Sequence, residues 1–305
     1  MKKSLLVFPP MIGLLFIAGV AWAIFCPQCG KESPDDAKFC IKCGKRLPVE
    51  RTDGKAADEA ALVHEQAHKL IDMSPIPAGK FWMGSAKGKG PRVERPRHEV
   101  YLDAFYIDKY EVTNSKYAEC IKKGACKKPS AWYICATGWS KYPSNWPTGG
   151  NNHPAVCVDW KAATSYCEWI GKRLPTEAEW EKAARGGTDT QYSFGDSKDD
   201  LGDYAWYDKN SDSKAHPVGQ KKPNPYGLYD MHGNVFEWVA DGYKRGYYKD
   251  SPKKNPTGPA KKRFPVYRGG SWADPAHEAR SPARSRRTKV WQSSAFGFRC
   301  AVSAP

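Results

Sequence analysis

Residues 226–238, Tyr-Gly-Leu-Tyr-Asp-Met-His-Gly-Asn-Val-Phe-Glu-Trp, constrain the fold more than any other stretch. Their bulky apolar side chains demand a core, two glycines free the backbone, and Asp230 and Glu237 set two carboxylates among them. Carboxylates on either side of a glycine turn suit a hard cation, because Ca²⁺ collects oxygens from side chains and backbone carbonyls together. The plainer alternative is a buried turn whose polar groups only hydrogen-bond. Twelve Trp, sixteen Tyr, 27 Gly and 24 Pro, with few long helical patterns, predict a loop-rich α+β domain rather than a bundle or a doubly wound sheet.

The amino-terminal part has its own logic. Residues 1–23 read as a secretory signal peptide: a basic Met-Lys-Lys start, an apolar run, and Ala21-Trp-Ala23 as cleavage site. Left uncut, residues 5–25 are long enough to anchor the chain in a bilayer. Lys31, Lys38, Lys42, Lys45 and Arg46 argue against export, since the positive-inside rule would hold them in the cytoplasm. The cysteines tip the reading toward the periplasm or cell envelope. Over residues 26–45, Cys26 and Cys29, then Cys40 and Cys43, form two CxxC pairs with the spacing of a zinc ribbon, four thiolates around one structural Zn²⁺. Two disulfides or a redox pair are the alternatives. So small a module has almost no core, and the metal would supply its folding energy, on the order of 10 kcal/mol.

Residues 46–72 form a linker with a short amphipathic helix over 56–71. The main domain spans 73–302. Alternation over 100–108 predicts a strand. Thr113 or Asn114 caps a helix through Ile121, residues 159–171 form a core helix, and Thr176 with Glu179 makes a capping box for a second that Gly186 stops. The net charge of +15 invites an anionic partner. Acids alternate with the bases over most of the length, so a solvated basic surface accounts for it equally, and export leaves no role for nucleic acid.

Several motifs then fall in one order: Phe81-Trp-Met-Gly84, Asp108-Lys-Tyr-Glu-Val-Thr-Asn114, Arg173-Leu-Pro-Thr-Glu-Ala-Glu-Trp-Glu181, the 227–238 stretch, Arg268-Gly-Gly-Ser-Trp272 and Gly297-Phe-Arg-Cys300. The chain resembles the formylglycine-generating enzyme (sulfatase-modifying factor) family over about residues 73–302. The resemblance implies an irregular C-type-lectin-like fold with small sheets, two main helices and structural Ca²⁺. It carries one calcium site onto Asp230 and Glu237 by side chain with Gly233 and Val235 by carbonyl. A second falls on Asp203 and Asn210 by side chain with Tyr204 and Asp212 by carbonyl, across a gapped loop. It also pairs Cys167 with Cys300, which would stabilise by about 4–5 kcal/mol in the chain-entropy account. Among Cys120, Cys126, Cys135 and Cys157 three pairings are open. Short spacing favours Cys120 with Cys126, which leaves Cys135 with Cys157.

The family's oxidases hold copper through two cysteines just after the Gly-Gly-Ser-aromatic motif. Here no cysteine occurs between Gly269 and Gly297, Asp274 stands near the first missing thiol, and Phe236 replaces a usual Trp. Soft Cu(I) needs thiolates, so no copper is expected. Two readings remain. One is a non-catalytic protein that binds a protein or glycan in the cell envelope through Trp272, Asp274, His277, Arg280, Arg284 and Trp291, with Arg286 and Arg287 nearby; Arg forks suit anions and indoles stack on sugars. In its plainer version Arg280 and Arg284 are internal pairs. The other is a different oxidoreductase of the wider superfamily, with non-haem iron on His and carboxylate ligands. His64 and His68 share a helix face but lie in the linker, and His232 sits inside the calcium motif, where packing or hydrogen bonding is its expected role. Ser271 has no evident base partner for nucleophilic chemistry.

Overall fold

The computed structural model describes residues 72–129 and 149–304, together with 24–25, 32–33, 42 and 70. The chain divides into two compact units, residues 1–64 and 65–305. In the first, β1 (Ile24–Phe25) pairs antiparallel with β2 (Glu32–Ser33), Ile24 opposite Ser33. The leader, the four cysteines assigned to zinc and nearly all of the linker helix lie outside the described residues. Among the described residues no helix is long and apolar enough to cross a membrane.

The second unit is built from short elements tied by loops. Its strands are β3 (Met73–Ile76), β4 (Gly79–Met83), β5 (His98–Leu102) and β6 (Phe105–Asp108), followed by β7 (Phe236–Gly242), β8 (Pro265–Arg268), β9 (Arg284–Arg286), β10 (Phe296–Gly297) and β11 (Ala301–Ser303). They form a four-stranded sheet in the order β10-β7-β8-β9, a three-stranded sheet β11-β6-β3 and the hairpin β4-β5. The single strand expected over 100–108 is two strands in different sheets. Asp103 lies at the break: its N–H donates to Asn255 Oδ1 at 2.9 Å, and Asn255 Nδ2 donates back to its carboxylate at 2.6 Å. A partner 152 residues away therefore fixes the bend.

Three helices of nine or ten residues flank the sheets: α1 (Asn114–Lys122), α2 (Trp160–Trp169) and α3 (Glu177–Arg185). Each starts where an oxygen can satisfy first-turn amides. Thr113 caps α1 and Asp159 caps α2. Thr176 and Glu179 form a reciprocal capping box on α3, which ends at left-handed Gly186. One-turn helices α4 (Leu201–Tyr204) and α5 (Tyr247–Asp250) sit in the loops. Cys120 is joined to Cys126 and Cys167 to Cys300. Cys157 is also in a disulfide, and Cys135 lies outside the described residues.

The apolar core lies in two main clusters. One gathers Ile76, Val100, Phe105, Trp180, Val239 and Val266; the other gathers Tyr117, Tyr166, Trp238, Phe296 and Phe298. Trp180 and Trp238 are wholly buried, and truncating either to Ala would cost about 3–5 kcal/mol. Both indoles also have fixed polar ends. Trp180 Nε1 donates to Glu237 and Trp238 Nε1 donates to the Val158 carbonyl, each at 2.9 Å.

Candidate functional site

Every residue of α3 is buried, including Glu177, Glu181, Lys182 and Arg185. A helix carrying five charges, Glu179 among them and paired with Arg173, can enter a core only if each finds a partner. Glu181 accepts from Arg185 at 2.7 Å, from the Gly84 N–H at 2.8 Å, and from Arg268. Glu177 takes a two-pronged pair from Arg284, Nε at 2.5 Å and Nη2 at 2.6 Å. Arg268 adds a 3.4 Å charge contact to Glu177 that lacks hydrogen-bond geometry. Arg280 forks onto Glu94 at 2.8 and 3.0 Å.

These pairs correct part of the expected ligand surface. Arg280 and Arg284 are 7 % and 6 % exposed and serve the interior. Trp272 is 3 % exposed, with its Nε1 donating to the Ser294 carbonyl at 3.2 Å. Each belongs to a two-body contact whose second member lies far off in sequence. His277 is exposed, and Asp274 and Trp291 are half-buried.

The turn at 230–237 has a different charge balance. Asp230 and Asn234 both take left-handed backbone, with φ of 61°. Gly233 passes so close to the Trp206 carbonyl that a Cβ would stand 2.3 Å from its oxygen. Glu237 receives Arg299 through Nε at 2.8 Å and Nη2 at 2.7 Å, besides Trp180. Asp230 Oδ2 accepts the Gly219 N–H at 2.8 Å, while Oδ1 is buried with no partner. Glu111, which sequence reasoning passed over, joins them: Asn234 Nδ2 donates to it at 2.6 Å and the Val235 N–H at 3.2 Å. Only its place in the Asp108–Asn114 motif marked it.

Three buried carboxylates thus share one guanidinium. Burial, then Asp230 and Glu237, hold Glu111 well above the usual carboxylate range. Burial, with Glu237, pushes Asp230 up to about 6. Among the described residues no group of three or more His, Cys, Asp or Glu side chains is arranged to hold a metal ion, so a cation here would rest on few side-chain oxygens. Asp230 Oδ1 is an orphaned oxygen, and Glu237 Oε1 takes a single donor, which leaves it a lone pair. Bound there, Ca²⁺ would supply positive charge and oxygen coordination, a structural role.

The second calcium set is engaged otherwise. The Asp203 carboxylate, 58 % exposed, pairs with Lys222 at 2.8 Å, and Asn210 Oδ1 accepts the Tyr207 N–H at 2.9 Å. His232 binds through both nitrogens. Its Nδ1 lies 2.8 Å from the Ala279 carbonyl, which requires a proton there, and Nε2 accepts the Ser193 N–H at 3.1 Å. Burial lowers its pKa to about 4, so it stays neutral and has no lone pair free for a metal.

The segment after Trp272 folds into a tight turn. Gly270, at φ +75°, passes within 2.9 Å of Ala279 Cα by its missing Cβ. Ser271 Oγ donates to Asp274, which leaves that hydroxyl committed to a carboxylate. A 3-10 turn (Ala276–Ala279) follows, held by Tyr192 Oη donating to the Ala276 carbonyl at 2.9 Å and Arg280 Nε to the His277 carbonyl at 2.8 Å. It borders a cleft of about 810 Å³ whose other walls are residues 88–91, 191–199 and 207–209. Tyr207, Asp208, Lys209 and His277 give it a polar, mixed-charge lining.

A small-sheet, loop-dominated α+β domain with a charged interior and a Gly-Gly-Ser-Trp turn opening on a cleft defines a C-type-lectin-like protein of the sulfatase-modifying class. The sulfatase-modifying factor enzyme 1-like domain matches residues 59–304, and a zinc-ribbon domain matches residues 25–47. The chain belongs to the sulfatase-modifying factor (formylglycine-generating enzyme) family. It is 36% identical over 279 residues to the protein named formylglycine-generating enzyme of Streptomyces coelicolor, covering 75% of this chain and 88% of that one. It is 36% identical over 256 residues to serine/threonine-protein kinase pkn1 of Chlamydia caviae, covering 76% of this chain but 38% of that protein, so it spans well under half of such relatives. Among solved structures, Treponema denticola variable protein 1 superposes with a TM-score of 0.64 at 30% identity, covering 76% of this chain and 95% of that one.

Proposed function

We propose that the chain is an exported, non-catalytic binding protein that uses the cleft beside Asp274 to hold a protein or glycan partner of the cell envelope. The observation that carries this reading is in the sequence: the family's scaffold is kept from Phe81 to Cys300, and no cysteine occurs between Gly269 and Gly297, where the family's oxidases hold copper. An Asp274 carboxylate bonded to Ser271 is a hard oxygen donor and a poor substitute for a thiolate toward Cu(I). Export is supported by the leader-like start and by disulfides at Cys120, Cys126, Cys157, Cys167 and Cys300. Structural Zn²⁺ at Cys26, Cys29, Cys40 and Cys43, and Ca²⁺ at Asp230, Gly233, Val235 and Glu237, complete the reading.

Two assays separate binding from oxidation. A cysteine-containing sulfatase peptide incubated with the protein, Cu(I) and oxygen should keep its thiol; an aldehyde product in the mass spectrum would favour an oxidoreductase. In a screen of envelope proteins and glycans, Lys209→Glu combined with His277→Ala should abolish capture without moving the melting midpoint. Undiminished capture by that variant would place the ligand elsewhere.

A further inference from the structure

A second concave surface lies outside the cleft. Residues 85–97, the segment 243–249 and Arg286 enclose a basin of about 910 Å³. Lys87, Arg92, Arg95 and Arg97 enter from the first segment and Arg245 and Lys249 from the second; among the described residues no carboxylate lines it. Of these cations Arg97 is paired, with Asp189 at 3.1 Å. Among the described residues Lys87, Arg92, Arg95, Arg245, Lys249 and Arg286 make no ion pair. Over most of the chain acids offset bases, so this local exclusion departs from the general pattern.

The basin is held open by the interior. The acid of residues 85–97, Glu94, points inward to Arg280, its carbonyl accepts the Ser85 N–H at 2.9 Å, and Arg284 Nη1 donates to the Val93 carbonyl at 3.0 Å. The loop is thus pinned from beneath by its acid while its bases face the basin. Arg286 lies 4.0 Å from the centre of the Tyr243 ring, which orients its guanidinium before any ligand arrives. Arg95 Nε is buried and, among the described residues, has no hydrogen-bond partner. Fixed guanidiniums with unused donors match the oxygens of phosphate or sulfate, and a rigid loop lowers the ordering cost of binding.

We infer that this basin binds a compact polyanion carrying two or more phosphate or sulfate groups, free or borne on a sugar. Its concavity does not suit a flat membrane, and Tyr243, already covered by Arg286, offers no face for stacking a base. The inference is independent of the cleft and of the missing thiols.

The test uses the purified full chain, titrated calorimetrically with tripolyphosphate and with a sulfated heparin-type hexasaccharide. Arg245→Glu with Lys249→Glu should weaken binding at least tenfold. Lys122→Glu with Lys123→Glu, an equal charge change on exposed residues at the end of α1, should weaken it less than twofold. Melting curves confirm that both variants are folded. Binding of both probes, or of the hexasaccharide alone, supports the site and tells whether a sugar carrier is required. Equal weakening by the two variants, no binding of either probe, or tighter binding to single-stranded DNA or phosphatidylglycerol vesicles than to both probes would overturn it.

Discussion

Two buried charge clusters in one domain behave oppositely. Around α3 and β8, Glu94, Glu177 and Glu181 meet Arg185, Arg268, Arg280 and Arg284, so every carboxylate has a guanidinium in contact. Around the 230–237 turn, Glu111, Asp230 and Glu237 share Arg299. Taking a charge out of water costs several kcal/mol unless partners replace the solvent. The first cluster satisfies that condition from within and serves as scaffold. The second has one guanidinium for three carboxylates: Arg299 pairs with Glu237, while burial and the neighbouring carboxylates raise Glu111 and Asp230 above the ordinary range. Counting counterions therefore separates the two clusters even though both are equally buried.

The largest test removes a partner from the closed cluster. Arg268→Leu leaves Glu181 short of a counterion and should lower the unfolding free energy by about 3–5 kcal/mol in urea titrations. A loss below about 1 kcal/mol would mean that the pairing is not needed.

The open cluster should respond to metal instead. At free Ca²⁺ a hundredfold above its dissociation constant, stability should rise by about 2.7 kcal/mol. Asp230→Ala should erase that increment and Asp203→Ala should leave it, given the solvent-facing pair of Asp203 with Lys222. An identical increment in wild type and Asp230→Ala would remove calcium from the turn.

A smaller effect comes from Asp241, whose carboxylate accepts the Glu177 N–H at 2.8 Å. Burial, reinforced by Glu177, pushes it up to about 7 from an ordinary 3.8. Its folded-state pKa lies above the unfolded one, so the folded state binds the proton more tightly. Its contribution is full below the unfolded value and is lost as pH rises toward about 7. Between pH 5 and 7.5 the wild type should lose roughly 2–2.5 kcal/mol that Asp241→Asn retains. Parallel pH profiles for the two proteins would show that Asp241 does not titrate in this window.

What could be read from the sequence was local. The α3 capping box and the Gly186 stop need only residues within one turn of each other, and Cys120 with Cys126 needed only short spacing. The bend at Asp103 could not be read, because Asn255 that makes it lies 152 positions on. The sequence leaves Arg280 and Arg284 open between a ligand surface and internal pairs for the same reason: their partners, Glu94 and Glu177, are 186 and 107 positions away. Glu111 was missed because a carboxylate in a motif gives no sign of its burial until Asn234 and Val235 close over it. The family motifs gave the architecture, while residue roles depended on pairings that only the fold reveals.

Elemental analysis of the full chain, loaded with Cu(I) and calcium and then desalted, tests the central claim most directly. The account predicts about one zinc held by four thiolates, at least one calcium, and no stoichiometric copper or iron. An equivalent of copper or iron per chain that is still retained when Cys26→Ser and Cys40→Ser remove the ribbon thiolates would contradict it and favour an oxidoreductase.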